Sequence, residues 1–313
     1  MKPKLSVNIG KLKLNNPVMV ASGTFGYAEE LKDLVILKEL GAIVTKTITL
    51  NPRRGNPPPR TCETPSGMLN SIGLENPGVE NFLKEKLPFL KKSGVPIIIS
   101  ITSESGVEEF VKLARRLDGV KDISAIEINI SCPNIRNDTK IPRCQGTRLI
   151  AQDPKATHEV VKAVRKATGK TLITKLSPNV TSIAEIAQAA EEAGSDALSL
   201  VNTLIGMSVD AGTRKPKIAA ITAGLSGPAI RPVALRMCWE VYQKVKIPII
   251  GMGGITDISS ALEFFICGAT AISVGTANFI NPKTATEIIS GLKEYLSENK
   301  INNMKEIIGD LKL

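Results

Sequence analysis

A (β/α)8 barrel, the TIM-barrel architecture, is the fold class this sequence predicts. Three observations carry that reading. Eight apolar runs of strand length recur along the 313 residues. Segments of helical period lie between them. The runs themselves are almost continuously apolar, as strands buried on both faces of a parallel sheet are, and strand alternating with helix is the pattern of a closed parallel barrel.

The amino-terminal MKPKLSVNIGKLKLNN alternates polar and apolar residues, which predicts a small hairpin ahead of the barrel and neither a signal peptide nor a spanning helix. The eight predicted strands are PVMVA (17–21), AIVTK (42–46), PIIISI (96–101), SAIEINI (124–130), TLITKL (171–176), DALSLVN (196–202), IPIIGM (247–252) and TAISVG (270–275). Helical period marks EELKDLVILKEL (29–40), GVENFLKEKLPFLKKS (78–93), VEEFVKLARRL (107–117), PKATHEVVKAVRKATG (154–169), SIAEIAQAAEEAG (182–194), PVALRMCWEVYQKV (232–245), DISSALEFFICG (257–268) and ATEIISGLKEYL (285–296). Two insertions break the rhythm, residues 49–78 after strand two and 203–230 after strand six. Loops that long inside a domain are usually functional. Barrels of this length fold as one unit, so residues 1–313 are read as a single domain.

At 42% hydrophobic and 22% charged residues, the composition is that of a globular protein and excludes disordered, collagenous and membrane classes. A soluble cytoplasmic protein is expected. The five cysteines are odd in number and lack CxxC spacing, which argues against a disulfide framework, a zinc site or an iron-sulfur cluster on this chain. The formal charge of +10 raises nucleic acid as a partner. The lysines are scattered, however, with no arginine-rich run and no interleaved aromatics, so a solvated surface is the better reading. His158, the only histidine, falls in a predicted surface helix and receives no role.

Active sites of such barrels lie at the C-terminal ends of the strands. Those ends carry Ser22, Lys46, Ser100, Asn129 followed by Cys132, Lys175, Asn202, the glycines of 251–254, and Gly275 with Thr276. Any one of these is equally a strand terminator. Lys46 and Lys175 sit within apolar runs, where burial without an anionic partner is costly, so a bound anion is the better reading for both. GMGGI and VGTANF end consecutive strands, where barrels often bind phosphate on backbone donors; tight turns are the alternative. Cys132 stands between Ser131 and Pro133. Proline has no backbone donor and keeps the preceding residue out of helix, so the thiol is set at a strand edge, either for chemistry or as part of a simple stop.

Read together, ASGTFG (21–26), KTITLNPRRGNPPPR (46–60), MLNSIGLENPG (68–78), NISCPN (129–134), KLSPNVT (175–181), VNTLIGM (201–207), GLSGPAIRPVAL (224–235), GMGGI (251–255) and VGTANF (274–279) resemble the class 1 dihydroorotate dehydrogenases, most closely the NAD-linked 1B branch. The resemblance runs in order along essentially the whole chain. It implies oxidation of (S)-dihydroorotate to orotate in pyrimidine biosynthesis with flavin mononucleotide (FMN) as hydride acceptor. By the same resemblance Cys132 is the base that takes the C5 proton. Flavin contacts are implied for Ser22, Lys46, Thr47, Ser100, Asn129, Lys175, Val201 and Gly227, and phosphate contacts for Gly253, Gly254, Gly275 and Thr276. Substrate contacts are implied for Lys46, Asn70, Ser71, Ile72, Gly73, Leu74, Asn129, Asn134, Asn202 and Thr203. The 1B likeness further implies a homodimeric core that binds an electron-transfer subunit carrying FAD and a 2Fe-2S cluster and passing electrons to NAD; the scattered lysines and the absence of a spanning run lead us to expect no nucleic acid or membrane partner.

Two departures stand out. Ser100 occupies a position where the family usually has asparagine. After NISCPN the chain runs IRNDTKIPRCQGTRLIAQDP, longer and more basic than the usual segment. Two other flavin barrels remain as rivals. A tRNA dihydrouridine synthase would suit the charge, but too little chain follows strand eight for the usual RNA-binding domain. A dihydropyrimidine dehydrogenase module usually has histidine where this chain has Asn134. A non-catalytic flavin-binding scaffold fits the full set of polar strand ends least well.

Overall fold

The computed structural model describes residues 3–131 and 150–312. Eight parallel strands close a barrel: β1 (Val18–Val20), β2 (Ala42–Val44), β3 (Ile97–Ile101), β4 (Ala125–Asn129), β5 (Thr171–Lys175), β6 (Ala197–Leu200), β7 (Ile249–Gly251) and β8 (Ala271–Val274). Each pairs with its sequence neighbour, and β8 returns to β1 through Ile272 against Val18. Every predicted strand is present, shortened by a residue or two at its ends. Strands β3, β4 and β5 are buried at every position, which is why their sequences read as unbroken runs.

The outer helices follow from amphipathic spacing and from caps. In Val107–Asp118 the buried residues include Phe110, Leu113, Ala114 and Leu117, one stripe at i, i+3, i+4 and i+7. Asp153 caps Pro154–Arg165 by accepting from the amides of Lys155 and Ala156. Ser182 caps Ile183–Glu192 in the same way, and Asp257 with Ser260 forms a capping box at Ile258–Ile266. The long Thr284–Glu298 helix lays Ile288, Leu292 and Leu296 against the barrel.

Two predicted helices differ. Residues 29–40 form only two short 3-10 turns, Glu29–Leu31 and Leu37–Glu39. The unbroken LVIL run gives no apolar stripe, and adjacent β-branched Val35 and Ile36 disfavour helix. Val35 and Leu40 are buried while Leu34 and Ile36 stay exposed. Residues 78–93 are helical throughout, but a π-helical stretch, Phe82–Lys86, separates Gly78–Asn81 from Leu87–Leu90. Pro88 cannot donate to the preceding turn, and the wider turn absorbs that missing bond.

The N-terminal hairpin, Val7–Ile9 with Leu12–Leu14, covers the bottom of the barrel, where Gly10 packs so closely that a Cβ there would lie 2.7 Å from Cβ of Asp196. The two insertions are not structureless loops. They build one four-stranded antiparallel sheet in the order Leu204–Met207, Thr222–Ser226, Gly67–Asn70, Thr61–Thr64. A small core of Leu69, Ile218, Ala220 and Ala223 packs within it. This sheet stands over the C-terminal face of the barrel, because its edge strand Leu204–Met207 closely follows β6 and its residues Thr61, Met68, Asn70 and Ser226 share a cavity with the strand ends.

Candidate functional site

A cavity of about 290 Å³ opens at the C-terminal ends of the strands, beneath the antiparallel sheet. Ser22, Lys46, Thr47, Asn129, Lys175, Val201, Asn202, Thr203, Gly253, Gly254, Gly275 and Thr276 line it from the barrel side. Asn70, Ile72, Gly73, Leu74 and Gly227 line it from the insertions. Nearly all the residues singled out in the sequence therefore converge on one space. Cys132 and Asn134 lie outside the described residues.

Thr47 joins the flavin-side and amide-side residues. Its hydroxyl lies 3.1 Å from Oγ of Ser22 and 2.9 Å from Oγ of Ser100, and accepts from Nδ2 of Asn129 at 3.2 Å. Oδ1 of Asn129 accepts from the Ser131 amide at 3.3 Å and hydroxyl at 3.0 Å. Asn202 donates through Nδ2 to Ser131 Oγ at 2.9 Å and holds the Thr203 amide with its Oδ1 at 2.8 Å. Each hydroxyl and amide can both donate and accept, so the network fixes the rotamers of the carboxamides at the cavity wall. Ser131, the last described residue before Cys132, is fully buried within this network.

Among the described residues, Ser100 and Ser71 are the two predicted contacts that do not line the cavity. Ser100 is fully buried and supports Thr47 from behind. Ser71 is buried against Asn56, accepting from its Nδ2 at 2.9 Å.

Lys175 requires a correction. Burial predicts a bound anion as its partner, yet the protein supplies one: Nζ lies 3.9 Å from Oε1 of Glu127, with the two side chains 5% and 2% exposed. At that separation the attraction is about 4 kcal/mol for an effective dielectric of 20, against a desolvation cost of several kcal/mol per ion. With two ions to desolvate, the attraction does not exceed the cost, so the pair is no net source of stability. Glu127 is legible as the single charge in the apolar strand AIEIN, but it lies inside the strand, where strand-end position gives no signal. Ser226 and Asn179 were missed as well. Ser226 accepts from the Thr276 hydroxyl at 2.8 Å. Asn179 ties the loop after β5 to the antiparallel sheet through the Thr203 carbonyl at 3.0 Å and the Ile205 amide at 2.9 Å.

The glycines give the far end of the cavity its chemistry, because a glycine lining a cavity presents only peptide groups. Gly254 has φ +75°, and a Cβ there would meet Arg231 Cβ at 2.8 Å and the Gly227 carbonyl oxygen at 2.9 Å. Gly227 has φ +96° and packs on Gly67, where a Cβ would come within 2.7 Å of Cα. Gly275 is open, its nearest neighbours being Ala21 Cβ at 3.8 Å and Thr24 Cγ2 at 4.0 Å, both on cavity-lining residues. Apolar walls come from Ala21, Val201, Ile230 and Met252. Glycine peptide groups at one end, apolar walls in the middle and a lysine with carboxamides at the other form a lining that suits a flavin cofactor with a small polar ring beside it.

The remaining described cysteines, Cys62, Cys238 and Cys267, do not line this cavity. Burial pushes the Cys238 thiol far above the ordinary range, with Cys267 adding to the shift, so it is a core residue and no nucleophile.

Comparison with known proteins agrees with this geometry. The family model described as dihydroorotate dehydrogenase matches residues 4–296. A protein of Geotalea uraniireducens (strain Rf4) named dihydroorotate dehydrogenase B (NAD(+)), catalytic subunit, is 51% identical over 310 residues, covering 99% of each chain. Proteins with the same name from Trichlorobacter lovleyi and Thermoanaerobacter pseudethanolicus are 52% identical over 311 residues and 49% identical over 309 residues, again covering 99% of both chains.

Proposed function

Because the chain belongs to the dihydroorotate dehydrogenase family, we propose that its barrel cavity oxidises (S)-dihydroorotate to orotate in pyrimidine biosynthesis, with FMN as the bound cofactor. The observation that carries this reading is the convergence, in one cavity, of the amide network around Asn129 and Asn202, Lys46 and Lys175, and the glycine ends of β7 and β8. A bound flavin supplies the two-electron acceptor for the hydride that leaves C6 of the substrate.

The protein's own residues do the rest. Asn70, Asn129 and Asn202, with Thr203 and the backbone of Asn70, Ile72, Gly73 and Leu74, bind a ring of alternating N–H and C=O groups, since each carboxamide offers both a donor and an acceptor. Asn134 completes the set in this proposal. Lys46 binds at the junction between substrate and cofactor, and Ser22, Thr47, Val201 and Gly227 hold the cofactor's ring. Lys175 supplies positive charge where a reduced flavin is anionic. Gly253, Gly254, Gly275 and Thr276 hold the phosphate with peptide donors. Cys132 takes the proton from C5 as a thiolate, the basic form of the side chain. Ser100, in place of the usual asparagine, acts on the cofactor through Thr47.

The relatives' names describe a catalytic subunit of an NAD(+)-linked enzyme. We extend that to this chain as one cytoplasmic domain whose homodimer binds an FAD and 2Fe-2S subunit that passes electrons to NAD. The sequence has no GxGxxG turn for a dinucleotide of its own, and among the described residues no helix is long and apolar enough to cross a membrane. The test is steady-state turnover of the FMN-reconstituted chain with dihydroorotate and, separately, a dye, fumarate or NAD as acceptor. Dye reduction without NAD reduction supports the proposal. Fumarate reduction would move the chain toward the 1A branch, and no turnover with any acceptor would overturn the activity.

A further inference from the structure

Glu127 sits in the middle of β4, and its Cα partners across the sheet are Ser100 on β3 and Ile173 on β5. Its carboxylate is enclosed, and its two oxygens have different surroundings. Oε2 accepts a hydrogen bond from Ser199 Oγ at 2.9 Å. Oε1 is buried without any hydrogen-bond partner, 3.9 Å from Nζ of Lys175. That distance is too long for a hydrogen bond but short enough for strong attraction in a buried setting. Lys175 lines the cavity and, among the described residues, its ionic partner is Glu127.

We propose that Glu127 is the positioning residue for Lys175: anchored by Ser199, its carboxylate holds and offsets the buried ammonium while leaving the N–H donors of that ammonium to the ligand in the cavity. A carboxylate in direct contact would consume a donor and quench the lysine. No carboxylate at all would leave an uncompensated buried cation, which is strongly destabilising. The 3.9 Å spacing avoids both. As applied to a flavin this rests on the proposed function; the pairing itself does not. Glu127 thereby sets how much of the lysine's charge a bound flavin experiences.

The test uses Glu127→Gln, Lys175→Met and the double variant, each as full-length chain, in two arms. In the cofactor-free arm, thermal unfolding reads the pair alone. Glu127→Gln should lower the midpoint, and adding Lys175→Met should recover much of that loss, because the uncompensated charge is gone. In the FMN-loaded arm, sulfite is the probe, since its addition to flavin N5 is favoured by positive charge near N1 and O2. Glu127→Gln should tighten sulfite binding roughly tenfold, Lys175→Met should weaken it, and the Glu127→Gln effect should disappear in the Lys175→Met background. Additive effects in both arms would overturn the proposal and leave Glu127 as a structural residue only. Coupling in the first arm without any in the second would overturn the flavin part alone. Failure of the wild-type chain to take up FMN would count against the proposed function, while the cofactor-free arm still decides the pairing.

Discussion

Two glycines at the same end of the cavity separate the cofactor site from the fold. Gly254 has φ +75°, and an added methyl would fall 2.8 Å from Arg231 Cβ. The left-handed backbone costs a non-glycine residue roughly 1–2 kcal/mol and overpacking typically adds ~1–3, so Gly254→Ala should lose roughly 2–5 kcal/mol of stability even without cofactor. At Gly275 the nearest atom to an added methyl is Ala21 Cβ at 3.8 Å, ordinary contact. Gly275→Ala should therefore unfold within about 0.5 kcal/mol of wild type. Its methyl would stand in the cavity against Ala21 and Thr24. Displacing one backbone hydrogen bond to a charged phosphate costs about 2 kcal/mol, roughly thirtyfold in affinity. Urea unfolding of the cofactor-free chains and fluorescence titration with FMN read the two effects separately. A Gly275→Ala chain that binds FMN as wild type does, or that unfolds as readily as Gly254→Ala, would refute the reasoning.

Cys132→Ser should slow anaerobic flavin reduction by dihydroorotate about a hundredfold or more at pH 7, because a hydroxyl is a far weaker base, while orotate binding measured by flavin absorbance should survive. The wild-type reduction rate should rise with pH through the thiol's titration, and an unchanged rate in the mutant would remove the assignment. Asp257, whose carboxyl is held below the usual range chiefly by the Ser260 amide, caps Ile258–Ile266. A depressed folded pKa means that its stabilisation is present above the unfolded carboxyl's titration and is lost as pH falls through the folded one. Asp257→Ala should accordingly cost about 1 kcal/mol near pH 7, and the gap from wild type should close below about pH 4 in urea unfolding measured across that range.

The barrel was legible because burial on both faces of a parallel strand writes itself as an unbroken apolar run, as in IIISI and AIEIN. The antiparallel sheet over the cavity was not, because its strands leave so little buried. Thr61–Thr64 shows only exposed and half-buried positions, and Leu204–Met207 alternates half-buried with exposed, so neither carries an apolar signal. The turn at Pro65 and Ser66, which pairs Thr64 with Gly67, was the available cue. Pairing between segments some 150 residues apart, such as Asn70 with Gly224, has no local signature. In the site, residues that end strands were found by position and by family motif alike. Those that act from beneath the cavity were not. Glu127 and Ser199 lie within strands, and only the register that brings three adjacent strands together shows that a carboxylate, a hydroxyl and an ammonium share one place. Ser100 reads as a contact because it ends a strand, but its hydroxyl is spent on Thr47.

The most direct test of the central claim is an anaerobic titration of the FMN-reconstituted wild-type chain, followed by flavin absorbance, with dihydroorotate, dihydrouracil and a dihydrouridine-containing tRNA added in separate experiments. The account predicts that dihydroorotate bleaches the flavin at one equivalent per site, that the other two leave it oxidised, and that an added oxidant restores the colour. Bleaching by dihydrouracil or by tRNA in preference to dihydroorotate, or a chain that takes up no FMN, would contradict it.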